Sequence, residues 1–579
     1  MKYSGARILI EALIEEGVDT VFGVPGSCVL QIYDELYRCQ DRIRHILVSH
    51  EQHAAHAADG YARSSGKTGV CITTSGPGAT NLVTGIAAAY MDSVPLVAIT
   101  GNVPVHLLGK DSFQEVDIAG ITMPVVKHNW IIKDVKELAE VVREAFIVAR
   151  SGRQGPVLID IPANVSGAET EWKPAFLAAW EDGSTMGARA QRLSERSGRT
   201  AFTGEDIDAA VELISASRLP MIYAGGGVNS SGASDEITAL ADILNAPVAL
   251  SLMGIGAAPR DFRLCTGLIG MHGTTASNKA VQKADLLIAA GARFSDRVTS
   301  RADHFARKAK ILHIDIDPAE INKNIPADCW VIGDVKKALA AILKKIPRTI
   351  RTEWGGEIEK LKAADKAGPW TGRSRRKDDP PHPRFIIETT AKRMSFNTIV
   401  VTDVGQHQMW AAQFYPIAGP RSFISSGGLG AMGFGLGAAL GAKLANPERP
   451  VVLFTGDGSF RMNCAELAVL KANAVPLLIV LINNGGLGMV RQWQQVFYGG
   501  RCSQSVLGRS PDFPALAAAY GVPAYRAETE GEFQAALERA LAEIDRGSAA
   551  LIEVLISPGE MVLPMVPGGK PVDEQIFQR

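Results

Sequence analysis

Short β-branched and aliphatic runs, each closed by Gly, Asp, Asn or Pro, recur along the chain at residues 69–76, 95–102, 156–162, 221–227, 286–292, 311–317, 398–405, 451–458 and 476–484. Segments of helical character flank each run. A strand that is apolar on every side chain is buried on both faces, so this alternation predicts parallel sheets covered by helices. Near the N-terminus, Ile8, Leu9, Ala12 and Leu13 with acids between them predict an amphipathic helix and not a signal peptide. Residues 45–49 predict a strand that ends just before a helix beginning at Glu51.

Two polar stretches break the pattern. Residues 166–202 carry Pro174, Gly183, Gly187 and a run of Arg and Ser; residues 348–383 are charged and end in Asp378-Asp379-Pro380-Pro381-His382-Pro383. Both read as linkers. They divide the chain into three doubly wound α/β parallel-sheet domains, expected at 1–185, 186–350 and 370–579, with ligands at the carboxyl ends of strands. No short-period repeat is visible, although the first and third blocks are compatible with related folds.

Composition narrows the partners. At 579 residues the chain exceeds a single core, and Lys plus Arg (60) nearly equals Asp plus Glu (61). That balance leaves no electrostatic footprint for nucleic acid or an acidic membrane. The longest apolar runs, such as residues 474–482, fall far short of the roughly 20 helical residues a bilayer needs. Seven scattered cysteines with no C-x-x-C pair suggest neither a disulfide framework nor a zinc site. A cytoplasmic enzyme, or an organelle form stripped of its transit peptide, is expected, with small molecules and other chains as partners.

The sharpest chemical signal is Gly456-Asp457-Gly458-Ser459 closing one apolar run and Asn483-Asn484 closing the next. Mg²⁺ takes a few oxygen ligands from protein and the rest from phosphate and water. The Asp457 carboxylate, the Asn484 side-chain carbonyl and the Gly486 backbone carbonyl supply three. The glycines let the chain approach phosphates, and a helix expected to start near Asn463 would aim its N-terminus at them. Each half alone is an ordinary strand-to-helix turn; the pair, each after a buried strand, resembles the thiamine-diphosphate motif.

In enzymes of that kind a glutamate activates the aminopyrimidine of the cofactor. The string His50-Glu51-Gln52-His53-Ala54-Ala55-His56-Ala57-Ala58-Asp59-Gly60-Tyr61-Ala62-Arg63 looks like the family's signature, with Glu51 as that group. Taken alone, Glu51 would be a solvated helix start. His53 and His56 read as packing or hydrogen-bonding residues, and His50 is left open.

From about residue 3 to 570 the chain resembles the catalytic subunits of the acetohydroxyacid synthase (acetolactate synthase) family. The discriminating stretches are Gly109-Lys110-Asp111-Ser112-Phe113-Gln114-Glu115 followed by Lys127-His128, Gly270-Met271-His272-Gly273-Thr274, Gly291-Ala292-Arg293-Phe294-Ser295-Asp296-Arg297, Gly427-Gly428-Leu429-Gly430-Ala431-Met432-Gly433 and Met489-Val490-Arg491-Gln492-Trp493-Gln494. The resemblance implies decarboxylation of pyruvate on thiamine diphosphate and condensation of the two-carbon unit with a second 2-ketoacid, pyruvate or 2-ketobutyrate, in branched-chain amino acid biosynthesis. It implies Glu51, Gln114, Phe113, Arg297, Met432 and Trp493 as reaction-site residues. Gln114 stands beside the substrate with Phe113 as apolar wall. Arg297 pairs the substrate carboxylate, Trp493 lines the acceptor pocket and Met432 props the cofactor. Pro25, Gly26, Gly76, Asn81, Gly405, Gln406, His407, Gly430, Gly456, Asp457, Gly458, Ser459, Asn484, Gly488 and Met489 are its implied thiamine-diphosphate contacts.

By the same resemblance Gly225, Gly226, Met271, His272, Gly273, Gly291, Arg293 and Asp296 contact a structural FAD. The glycines 225–227 alone would mark any tight turn. Also implied are a homodimer or tetramer with sites at the subunit interface, a small regulatory subunit as candidate partner, and a tail at 562–569 folded as a lid. Val24, Ser27, Cys28, Lys110 and Ser295 depart from the family's usual residues, which bears on substrate preference and FAD affinity. Three alternatives remain open: a pyruvate oxidase-like flavoenzyme, a catabolic FAD-independent acetolactate synthase, and a non-catalytic cofactor-binding subunit.

Overall fold

The structure, a computed structural model, describes residues 2–172, 202–347, 352–366 and 379–577. The first third holds β1 (Lys2–Ser4), β2 (Thr20–Val24), β3 (Arg44–Leu47), β4 (Gly69–Thr73), β5 (Leu96–Asn102), β6 (Asn129–Ile131), β7 (Pro156–Pro162) and β8 (Glu169–Glu171). The middle holds β9 (Pro220–Ala224), β10 (Val248–Leu250), β11 (Cys265–Leu268), β12 (Leu286–Ala290), β13 (Lys310–Asp315) and β14 (Cys329–Ile332). The last third holds β15 (Ile399–Thr402), β16 (Phe423–Ile424), β17 (Val451–Gly456), β18 (Leu478–Asn483), β19 (Ala524–Ala527) and β20 (Ala550–Leu555).

These strands build three six-stranded sheets, ordered β3-β2-β4-β5-β7-β6, β11-β10-β9-β12-β13-β14 and β16-β15-β17-β18-β20-β19. All pairings within them are parallel. The fold is therefore α/β with three helix-covered parallel sheets. Counted from the first strand of each, the outer two sheets share one strand order, which makes them the same topology. The middle sheet has instead the order that carries dinucleotides at its switch point, here between β9 and β12.

The strands at the sheet centres are the apolar runs read from the sequence; β4, β5, β7, β9, β12, β15, β17 and β18 are buried at every position. The amphipathic N-terminal helix is Gly5–Glu15, capped by the Ser4 hydroxyl, with Ile8, Leu9, Ala12 and Leu13 buried. Both linker assignments need correction. The first stretch begins with structure, since β8 pairs antiparallel with β1; the rest of it, 173–201, lies outside the described residues. In the second, Thr352–Lys366 is a helix. Its Trp354 is buried and donates from Nε1 to the Pro220 carbonyl at 2.9 Å, while Asp365 caps Thr275 and Ala276 at 2.9 and 2.8 Å. That helix belongs to the packing of the central sheet, although it sits between the expected domain limits.

The outer sheets meet through the helices Glu51–Ser65 and Gly435–Ala445. Small residues allow it: a Cβ at Gly60 or Gly441 would lie inside van der Waals distance of the Ala438 or Ala57 carbonyl. Side chains of both sheets then share one apolar core. Buried polar groups register the contact: Glu466 accepts from Ser49 N at 3.0 Å and pairs with His53 at 2.8 Å, while Arg63, held by Asp59 and Asp92, donates to the Ser425 carbonyl at 3.0 Å. No helix among the described residues is long and apolar enough to cross a membrane.

Candidate active site

The GDGS segment ends β17 at Gly456 and turns directly into helix Asp457–Phe460. Asn483 and Asn484 end the adjacent strand β18, so the parallel register sets both turns side by side at carboxyl ends. Glycine is needed here because a Cβ at Gly456 would press on the His407 ring and one at Gly488 on Gln406 and Asn484. Asn484 is oriented by its neighbours: its Nδ2 donates to Gln406 Oε1 at 2.8 Å, and its Oδ1 accepts from Gly486 N at 3.1 Å. Gln406 is held in turn by Gln492 and the Glu560 carbonyl at 2.9 and 3.0 Å.

Asp457 is 3% exposed, and its Oδ2 has no hydrogen-bond partner. Burial pushes this carboxyl up to about 6, against the pull of Arg461 and of the Gly486 and Asn484 N–H groups. An unpartnered anionic oxygen beside an oriented amide and the Gly486 backbone fits a hard divalent cation, which would restore the charged form. His407 packs below the same turn as a neutral ring; burial drives it down to about 3.

A cavity of about 910 Å³ opens onto this turn and runs into the central domain. It collects most of the residues expected from the sequence: Gly225, Gly226, Met271, His272, Gly291, Arg293, Asp296 and Arg297 from the middle, and Gly405, Gln406, His407, Gly430, Met432, Gly456, Asp457, Gly458, Ser459, Asn484, Gly486, Gly488, Met489 and Trp493 from the last third. The Arg297 guanidinium lies over the Trp493 ring at 5.9 Å. Gly225, Gly227 and Gly291 are glycines for a packing reason, because their two turns, after β9 and β12, touch each other. Gly273 is off the cavity, folded against Gly270 and Asn278.

The remaining expected residues gather elsewhere. Glu51, the first residue of its helix, accepts from Asn81 Nδ2 at 2.9 Å. Gly76 (φ 58°) lies against Gln114, and a Cβ there would stand 2.8 Å from the Gln114 carbonyl oxygen. Pro25 and Gly26 follow β2, with Gly26 against Thr74. Phe113 is 85% exposed. Among the described residues neither this group nor Glu51 lines the cavity that Asp457 faces.

The sequence as a whole was compared with known proteins. Its residues 3–121, 207–342 and 403–554 match the models of the thiamine pyrophosphate enzyme N-terminal TPP binding domain, central domain and C-terminal TPP binding domain. A probable acetolactate synthase large subunit of Methanocaldococcus jannaschii is 46% identical over 98% of this chain and 94% of its own. The acetolactate synthase large subunit of Parasynechococcus marenigrum is 45% identical over 98% and 90%. The chain belongs to the acetolactate synthase large subunits, within the thiamine pyrophosphate enzymes. The Escherichia coli acetolactate synthase isozyme 3 large subunit is 41% identical over 99% of this chain and 98% of its own.

This acetolactate synthase family member departs from the sequence reading in the tail and refines it at the diphosphate turn. A helical segment does start after Asn463, as the turn Cys464–Glu466 that runs into helix Leu467–Ala472, but a separate short helix, Asp457–Phe460, begins directly at the diphosphate turn, and the Asn463 side chain donates to Asp403 at 3.0 Å. The tail does not cover the cavity: Val562, Met565 and Val566 are buried, Val566 N donates to the Met271 carbonyl at 2.8 Å, and Pro564 meets His272. Lys127 caps the carbonyls of Val148 and Ser151 behind the sheet. Sequence reasoning also missed Asp403 and Asp92. Asp403 accepts from Val404, Gly433 and Gly435 N, and Asp92 from Gly427 and Gly428 N, so two buried carboxylates hold the glycine loop that carries Met432. Local pattern hides them, because the N–H groups that most need them lie 30 to 336 residues away.

Proposed function

We propose that this chain is the catalytic subunit of an acetolactate synthase, which decarboxylates pyruvate and joins the two-carbon unit to pyruvate or 2-ketobutyrate, in branched-chain amino acid synthesis. The observation that carries the reading is the unpartnered Asp457 oxygen beside Asn484 at the mouth of a cavity shared by two domains. Asp457, Asn484 and the Gly486 carbonyl would hold Mg²⁺ and through it the diphosphate. Thiamine diphosphate, when bound, supplies a carbon nucleophile that also takes up the electron pair released with CO₂. Met432, whose Cε would lie 3.6 Å from a Cβ at Gly458, supports the cofactor from the glycine loop.

Glu51 would exchange a proton with the ring of the cofactor, fixed for that task by Asn81. Gln114 and Phe113 face the reacting ketoacid. Arg297 offers a planar fork to the acceptor carboxylate, and its stacking on Trp493 supports one acceptor pocket built from both. The strand order of the central sheet and the length of the cavity support FAD there, with Gly225, Gly226, Met271, His272, Gly291, Arg293 and Asp296 beside it. A second copy of the chain would bring Glu51 to Asp457. That is supported by the absence of Glu51 from the cavity that Asp457 lines within one chain and by exposed Leu30, Tyr37, Leu47, Phe113, Met123 and Tyr498. The relatives' large-subunit names support a small regulatory subunit as a further partner.

Purified protein given pyruvate, Mg²⁺, thiamine diphosphate and FAD should form acetolactate without stoichiometric oxygen uptake. Glu51→Gln should abolish that product and leave Mg²⁺-diphosphate binding intact. Near-normal turnover of the variant removes Glu51 from the mechanism, and stoichiometric oxygen uptake favours an oxidase.

A further inference from the structure

We propose that Glu115 is a positioning residue: its carboxylate is the hub around which residues 109–114 curl to present Phe113 and Gln114. The inference rests on the reading of Gln114 as a substrate-facing group. The loop between β5 and helix Ile118–Thr122 contains Gly109, Asp111 and Gln114 at φ 75°, 52° and 59°. Two of the three are not glycine, so their left-handed backbone needs compensation from further hydrogen bonds.

Glu115 provides it. Its Oε1 accepts from Gly109 N, and its Oε2 accepts from Ser112 N at 2.9 Å and from Lys110 N at 3.3 Å. The Glu115 N–H donates back to the Ser112 carbonyl at 3.0 Å, and the Ser112 hydroxyl ties the curl to Leu107 at 3.2 Å. A carboxylate that accepts three backbone N–H groups is a strong, charge-assisted clamp, and the Ser112, Gly109 and Lys110 donors hold its pKa below the ordinary glutamate value.

The curl has a defined orientation. Gln114 is seated on Gly76, where no side chain larger than hydrogen fits. Gly76 begins the turn that continues through Gly78, beside Glu51 Oε1, to Asn81, which binds Glu51. Phe113 is thrown outward as a bare aromatic ring. Lys110, one of the departures from the family's usual residues, enters only through its backbone, so its exposed ammonium does not disturb the clamp.

The test uses the full-length enzyme with thiamine diphosphate, Mg²⁺ and FAD, and the variants Glu115→Ala, Glu115→Gln and Gln114→Ala. Amide hydrogen exchange at Gly109, Lys110 and Ser112 should accelerate in Glu115→Ala. Its kcat for pyruvate should fall about tenfold or more, while cofactor Kd and Tm stay at parental values. Glu115→Gln, which keeps one neutral acceptor oxygen, should fall between. Unchanged exchange at those amides, or fast exchange with turnover within twofold of the parent while Gln114→Ala is impaired, overturns the clamp. If Gln114→Ala itself turns over normally, the reading of Gln114 falls and the proposal falls with it.

Discussion

Asp457 carries a conflict between stability and binding. Buried beside Asn484 with one oxygen unpartnered, its carboxyl has a folded-state pKa of about 6, above the value near 3.8 of an unperturbed aspartate. A group whose folded pKa is raised binds its proton more tightly in the folded state. The stability this confers is complete below about pH 4 and is lost as pH rises through about 6. At neutral pH the ionised, unpaired group then costs on the order of 2–3 kcal/mol. In calorimetry of the cofactor-free protein, Asp457→Asn should unfold at a higher temperature than the parent at pH 7.5, with the gap closing towards pH 4. Mg²⁺ with thiamine diphosphate should raise the Tm of the parent and not of the variant. A gap that is the same at both pH values contradicts the role of the charge. Asp457 and Asn484 were legible in the sequence because each ends a fully apolar run, where a polar side chain is conspicuous. Asp403 and Asp92 were not, since a carboxylate that serves distant backbone N–H groups leaves no local spacing to read.

Legibility at the level of elements followed the length of the unbroken apolar run more than burial alone, since β10, β11 and β20 are also buried at every position but were not read. Central strands such as β5, β7 and β17 are buried along their whole length and appear as unbroken apolar runs. Edge strands β6 and β19 are half exposed and mix polar with apolar residues, and β14 is an apolar run of only four residues; all three escaped notice. The helix Thr352–Lys366 escaped because its apolar contact is confined to a few positions, Trp354 and Ile358 foremost, in a charged segment. The Ala-rich helix Glu51–Ser65 was visible as a helix from its start at Glu51, but not that its small residues pack against those of the Gly-rich helix Gly435–Ala445. Their crossing makes a strong claim on Gly441, since any Cβ there must displace the Ala57 carbonyl. Gly441→Val should cost about 1–3 kcal/mol or more in denaturant unfolding. Gly531→Ala, a helical glycine with nothing within 4 Å of the added Cβ, should be neutral or slightly stabilising. Equal effects of the two substitutions would mean that the helices are not packed as closely as described.

At the scale of the molecule, the two outer sheets have the same topology and each contributes one half of the proposed chemistry, the glutamate from one and the metal turn from the other. Within one chain the halves do not share a cavity, although the sheets are fastened by Glu466, by Arg63 donating to the Ser425 carbonyl, and by the helix crossing. The proposed twofold assembly would resolve this, because a symmetric pair can place the Glu51 of each chain at the metal turn of the other and so make two equivalent sites. The arrangement is testable by mixing two inactive variants. If the halves come from different chains, a heterodimer of Glu51→Gln with Asp457→Asn has one site carrying both defects and one site carrying neither. Random pairing makes about half of all dimers mixed, each with one intact site, so activity should return to about a quarter of the parental level. If Glu51 and Asp457 of the same chain formed a site, each site in the mixture would retain one defect. Turnover after co-refolding or co-expression would then stay at the level of the single variants, and the two-chain site would have to be abandoned.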